Sequence, residues 1–126
     1  KKNAETRILK TLNQNHIELI CLAGFMRILS KRIIKKYKNK ILNIHPSLLP
    51  RYKGLNTHKR VIENMEAFTG CTVHLVNSKL DSGKIILQKK IKVLKKDNVK
   101  SLSKRLLKVE NKIYPKALKK FISTSL

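Results

Sequence analysis

An α/β fold, a mostly parallel sheet flanked by helices, is what these 126 residues predict. Two observations carry the prediction. Short runs of β-type apolar residues at 17–23 and 41–45 bracket a helical segment, which makes a βαβ unit over 17–45. A long amphipathic segment then runs from Asn98 to about Ile122, enough to cover one face of a sheet. Residues 1–126 are one domain's length, with 41% hydrophobic residues and room for a modest core.

The first segment, 2–15, sets Ala4, Ile8 and Leu12 at helical spacing, with Lys and Asn on the other face. The run 17–23 suits a strand buried on both sides in a parallel sheet. Ser30 is a good N-cap for a helix that carries Ile33, Ile34 and Tyr37 on one side. Residues 41–45 form the next strand, ended by Pro46, which has no N–H for a ladder. Residues 46–56 are a loop rich in proline, glycine and asparagine. Thr57 reads as the cap of a helix through Val61, Ile62 and Met65. Residues 71–76 and 84–94 are strands joined by a loop at 77–83. In the last segment Leu102, Leu106, Val109, Ile113, Leu118 and Phe121 point inward, and Pro115 is expected to kink or divide the helix.

Thirty basic residues against seven acidic ones give a formal net charge of +23. On composition alone such a balance suggests a polyanion binder. The cations are mostly lysine, however, spread along the chain with few aromatics beside them. Single-strand binders interleave stacking rings, and phosphate readers favour arginine forks. The charge therefore reads as a lysine-rich surface that draws anionic substrates, with no specific nucleic acid as partner. A basic polyanion-binding module is the competing, non-enzymatic reading.

Cys21 and Cys71 lie far apart in apolar runs and read as small buried thiols, with neither a disulfide framework nor a metal site. A reducing, cytoplasmic compartment fits. The longest apolar run, 17–29, is broken by Glu18 and Arg27, too short and too charged for a bilayer. No signal peptide is visible.

Chemistry concentrates in Asn43-Ile44-His45-Pro46-Ser47-Leu48-Leu49-Pro50 and in Leu80-Asp81-Ser82-Gly83, whose aspartate follows the histidine by 36 positions. In a strand, residues i and i+2 face the same way with Cα atoms about 6.5 Å apart. Asn43 and His45 thus project together at a carboxyl-terminal strand end, where open α/β sheets place ligands. An amide, an imidazole and a carboxylate suit acyl transfer without a covalent intermediate. An unperturbed imidazole titrates near 6.5, close to working pH. Asp81 is the candidate carboxylate beside it, in a turn that Asp and Gly favour anyway. His16 and His58 read as ordinary core or surface residues. His74, on a strand, is left open as a support to the site.

These motifs, with Leu22-Ala23-Gly24-Phe25-Met26-Arg27-Ile28-Leu29-Ser30 before them, resemble the folate-dependent formyltransferases. Gly54-Leu55-Asn56-Thr57-His58 and Glu110-Asn111-Lys112-Ile113-Tyr114-Pro115 fall in the same order, so the resemblance covers essentially the whole chain. Within the family it is most similar to the branch that formylates glycinamide ribonucleotide in purine biosynthesis. The resemblance implies a Rossmann-like formyltransferase fold, 10-formyltetrahydrofolate as formyl donor, small-molecule substrates and no metal or membrane. It implies catalytic roles for Asn43, His45 and Asp81, folate binding by Met26, Arg27, Ile28, Leu29, Asn43, Asn77, Ser78, Lys79, Leu80 and Asp81, and contact between Glu110 and the ribose hydroxyls of the nucleotide.

Two other branches use related motifs. The one that formylates methionyl-tRNA typically continues its loop Arg-Gly-Ala-Ala-Pro, where this chain reads Lys53-Gly54-Leu55-Asn56-Thr57-His58. The one that deformylates formyltetrahydrofolate usually departs from Pro-Ser-Leu-Leu-Pro, intact here. Asn56 stands where the favoured branch often has histidine. The chain opens on Lys1-Lys2 and shows no glycine-rich cradle for a phosphate. It is therefore expected to be a piece lacking the family's first βαβ region, the folate-binding and catalytic part of one domain, and inactive alone on the nucleotide.

Overall fold

The computed structural model describes residues 2–24 and 29–125. Helix α1 (Lys2–Gln14) leads into strand β1 (Ile20–Ala23), followed by α2 (Lys31–Lys36), β2 (Ile41–His45), α3 (Thr57–Glu63), β3 (Phe68–Leu75), β4 (Ile85–Lys92) and α4 (Val99–Ser125). The four strands form one sheet in the order β1-β2-β3-β4. The βαβ unit is present: β1 and β2 run parallel, with Ile20 opposite Ile41 and Ala23 opposite Ile44.

The sheet is mixed, which corrects the expectation of a mostly parallel one. Both β2–β3 and β3–β4 are antiparallel. The short 76–84 connection between β3 and β4 dictates the second of these, because a parallel return needs a crossover of a dozen or more residues.

Two apolar clusters bind the layers. Leu42 and Ile44 of β2 and Cys71 and Val73 of β3 pack against Leu106, Ile113, Ala117 and Phe121 of α4. Ile41, on the opposite face of β2, packs with Ile33 and Tyr37, and Leu9, Leu12, Ile20 and Leu22 lie against them. Burying a side chain such as Leu106 contributes about 1.5–3 kcal/mol. Ser30 caps α2 as expected, its hydroxyl accepting from the Ile33 N–H at 3.4 Å.

Several local expectations are corrected. The strand over 17–23 begins only at Ile20, and it is the outer strand of the sheet. Cys21, on that outer strand, is an exposed residue, although Tyr114 of α4 reaches its thiol, whereas Cys71 is buried. Helix α1 turns Leu9 and Leu12 inward and leaves Ile8 47% exposed, a rotation from the Ala4–Ile8–Leu12 face. Thr57 is the first helical residue, buried, and Asn56 in a left-handed conformation takes the cap position. Met65 lies past the end of α3 in a left-handed turn and is 90% exposed. Pro115 does not divide α4, which runs as one helix of 27 residues. Packed side chains on both sides of the proline, Ile113 and Ala117, hold the axis through the missing hydrogen bond.

Candidate active site

The face of β2 turned away from α4 carries Asn43 and His45. Across the ladder Asn43 stands opposite His74 and His45 opposite Thr72, and directly opposed residues share a face. All four side chains are buried. A polar row inside a sheet must find partners or be held for a ligand.

The Pro-Ser-Leu-Leu-Pro loop is fastened over this row. The Thr72 hydroxyl donates to the Ser47 carbonyl (2.7 Å) and accepts from the Leu49 N–H (3.1 Å). Gln88 of β4 donates to Thr72 Oγ1 (2.9 Å) and to the Leu49 carbonyl (2.8 Å). Ser47 donates to the Arg51 carbonyl at 2.7 Å. Leu48 lies on Gly70 of β3, where an added Cβ would come within 2.5 Å of it. The motif thus works by rigidity: it carries the chain from His45 to Tyr52, whose carbonyl returns to the histidine.

His45 Nε2 lies 2.8 Å from the Tyr52 carbonyl. A carbonyl only accepts, so Nε2 carries a hydrogen and Nδ1 is the nitrogen that gains or loses a proton. Nδ1 faces Asp81 Oδ2 at 3.5 Å. That oxygen also accepts from the Gly54 N–H at 2.8 Å. His74 repeats the pattern: Nδ1 donates to the Leu75 carbonyl at 3.0 Å, and Nε2 points at Asp81 Oδ1 from 3.9 Å, beyond hydrogen-bond distance. One carboxylate is therefore faced by the titrating nitrogens of two imidazoles. Burial holds the His74 imidazole below its ordinary range, and burial, with the nearby His45, does the same for His58.

Asp81 sits in a left-handed backbone conformation, φ 49°, one that Asp adopts more readily than most residues. Gly83 lets the turn close, since a Cβ there would lie 1.5 Å from the Leu75 carbonyl oxygen. Among the described residues, the Asn43 side-chain oxygen is buried without a hydrogen-bond partner, and so are His74 Nε2 and His58 Nδ1. Asn43, His45 and Asp81, 6%, 2% and 8% exposed, make a closed polar centre with capacity to spare. It can shuttle a proton and stabilise charge at one small group.

The other expected positions are more scattered. Asn77, Ser78, Lys79 and Leu80 form the exposed approach to Asp81, with Asn77 Oδ1 accepting from the Lys79 N–H at 2.9 Å. Leu29 packs in the α2 cluster. Met26, Arg27 and Ile28 lie outside the described residues. Glu110 is on α4, on the opposite side of the sheet from Asn43, and burial pushes its carboxyl up to about 7. Tyr52 and Gly54 were missed by sequence reasoning because both act through the main chain. The only available signal was a glycine inside the loop beside the histidine motif.

No helix among the described residues is long and apolar enough to cross a membrane, and their His, Cys, Asp and Glu side chains form no group of three or more placed to hold a metal ion. Residues 1–118 match the family described as Formyl transferase. The trifunctional purine biosynthetic protein adenosine-3 of Gallus gallus is 49% identical over 114 residues, 90% of this chain and 11% of that protein. A phosphoribosylglycinamide formyltransferase of Haemophilus influenzae is 45% identical over 105 residues, 83% of this chain and 50% of that protein. The crystal structure of phosphoribosylglycinamide formyltransferase from Bacillus halodurans superposes with a TM-score of 0.92 at 33% identity, over 100% of this chain and 66% of that one. The chain thus spans half the length or less of these two curated relatives.

Proposed function

Because the chain belongs to the formyl transferase family, we propose that it carries the catalytic and folate-binding part of an enzyme of purine biosynthesis. The reaction passes the formyl group of 10-formyltetrahydrofolate to the primary amine of glycinamide ribonucleotide. The observation that carries the reading is the buried centre in which His45 Nδ1 faces Asp81 Oδ2 at 3.5 Å, with Asn43 two residues away on the same strand face. The relatives' names, phosphoribosylglycinamide formyltransferase, support formyl transfer to that acceptor.

In this reading the amine lone pair forms a bond to the formyl carbon, and the carbonyl electron pair moves to oxygen. Collapse restores the carbonyl and breaks the bond to N10 of the folate, which takes up the proton the amine gives off. His45 moves that proton from its Nδ1 edge, and Asp81 stabilises the imidazolium while it exists. The Asn43 amide donates to the developing oxyanion, a contribution commonly about 3–4 kcal/mol. The family resemblance gives residues 77–81 with Met26, Arg27, Ile28 and Leu29 to the pterin, Asn43 to the donor's formyl group, and Glu110, on α4 across the sheet, to the ribose hydroxyls. A cytoplasmic setting belongs to the same reading.

Formyl transfer should be measured in the natural protein that carries this sequence, with His45→Ala beside it. The expected result is a loss in kcat of about 10²–10⁴-fold with folate affinity nearly unchanged, since proton work belongs to the transition state. Wild-type turnover in His45→Ala, with chemistry rate-limiting, would refute the role.

A further inference from the structure

We propose that Arg60 is a positioning residue, which sets Asp81 against His45 through the Lys53–Gly54 peptide. The proposal deepens the reading above and rests on His45 and Asp81 as the reacting pair. Arg60 touches neither. It stands on α3, where its backbone N–H bonds the Asn56 carbonyl and its own carbonyl accepts from the Asn64 N–H, each at 3.0 Å. From that fixed root its Nη2 donates to the Lys53 carbonyl at 2.6 Å and its Nε to the Leu55 carbonyl at 3.0 Å. A planar guanidinium has the rigid fork to grip two carbonyls two residues apart; a lysine does not.

Between those carbonyls lies Gly54, at a φ of +85° that favours glycine, and its N–H is the one donated to Asp81 Oδ2 at 2.8 Å. The Lys53 carbonyl and the Gly54 N–H belong to one planar peptide unit, so they move together. A cationic donor on the carbonyl also polarises the N–H at the other end and strengthens its bond to the carboxylate. The same oxygen of Asp81 faces His45 Nδ1.

A second contact acts on the histidine itself. The Arg60 guanidinium lies 5.4 Å from the centroid of the Tyr52 ring, and Arg51 lies 5.5 Å from it. The Tyr52 hydroxyl donates to Glu66 at 2.6 Å and accepts from Asn64 Nδ2 at 3.1 Å. The ring is therefore held by α3 and by the turn after it. The carbonyl of that same residue holds His45 Nε2. One side chain outside the centre thus secures both main-chain groups that orient the pair.

The test labels glycine nitrogen in the protein and follows the Gly54 amide by NMR, in wild type, Arg60→Gln and Arg60→Lys. In wild type this amide should be protected from exchange and shifted downfield by the carboxylate. In Arg60→Gln it should exchange about tenfold faster or more and move upfield. There kcat should fall by about 10–100-fold with the Kd for a stable folate analogue unchanged, the mark of lost positioning. Arg60→Lys, which can keep one carbonyl bond, should recover part of both. An unchanged Gly54 amide in a folded Arg60→Gln protein overturns the proposal. A wild-type Gly54 amide that exchanges like an open loop overturns it too, and needs no variant. If the amide responds to Arg60 while no form of the protein transfers formyl groups, the positioning role stands and the reaction reading alone fails.

Discussion

Glu110 is a carboxyl in a place where its charge is costly. Burial raises it from an ordinary 4.5 to about 7, so the folded protein prefers the neutral acid. The sign follows by linkage. Below 4.5 the folded and unfolded chains both hold the proton and there is no penalty; as pH climbs through about 7, folding must either keep that proton or bury a charge, and stability is lost. Glu110→Gln should therefore raise the melting temperature at pH 8 and leave it nearly unchanged at pH 4.5. The gain should be on the order of 1–2 kcal/mol once solvent screening is allowed for. Thermal melts at the two pH values check this. If Glu110 meets the ribose, the same variant should raise KM for the nucleotide. Nothing in the periodicity of α4 marks this residue, since a glutamate among lysines on a long helix reads as a solvated charge. That Asn43 and His45 share one face was legible from strand period alone. Asp81 stood out as the carboxylate of a Leu-Asp-Ser-Gly turn, yet its contact with His45 across 36 positions depends on how the β3–β4 turn folds back, which spacing does not reveal. Tyr52, Gly54 and Arg60 were not legible: their contacts run through carbonyls and N–H groups that every residue possesses.

Helix α4 is the element in which the pattern was clearest and the punctuation misleading. Leu102, Leu106, Ile113 and Phe121 are buried as their spacing predicts, because a 3.6-residue period admits only one apolar stripe. Pro115 was expected to bend or split that stripe, yet it lies on the exposed side of an unbroken helix. Tertiary packing overrides a local penalty when both neighbouring turns are anchored. The penalty itself remains, so Pro115→Ala should stabilise the protein by about 1–2 kcal/mol, restoring one main-chain hydrogen bond and removing the ring clash. Urea titrations of the two proteins should show a higher midpoint at unchanged slope. A lower midpoint would mean that the ring packs against something the helix needs. Outer elements were read less well for the same reason in reverse. The faces of α1 and β1 depend on which neighbours cover them, and period alone does not say.

At the scale of the whole molecule, 30 cations face seven anions, and the compact state concentrates that charge. Self-repulsion of this kind destabilises folding and is screened by salt, over a Debye length of roughly 30 Å at 0.01 M and 8 Å at 0.15 M. The melting temperature should therefore rise when sodium chloride is raised from 0.01 to about 0.3 M, before any site is considered. Acid adds to the strain. His74 and His58 are held below the ordinary 6.5, both chiefly by burial, so the folded protein prefers them neutral. A group whose folded pKa is depressed gives stability that is present above the unfolded value and lost as pH falls through the folded one. Two imidazoles thus work against the folded state as pH drops from 6.5, while Glu110 works for it over part of the same range. The clean experiment uses Glu110→Gln, where the opposing carboxyl is gone. In that background stability should fall from pH 7 to pH 5, more steeply in 0.01 M salt than in 0.3 M. Replacing His74 with Gln should flatten the fall at both salt concentrations, because a buried ring that no longer takes up a proton adds no charge. A pH profile that stays steep in the double variant would place the acid sensitivity elsewhere, and a profile unmoved by salt would show that the +23 surface is too dispersed to strain the fold.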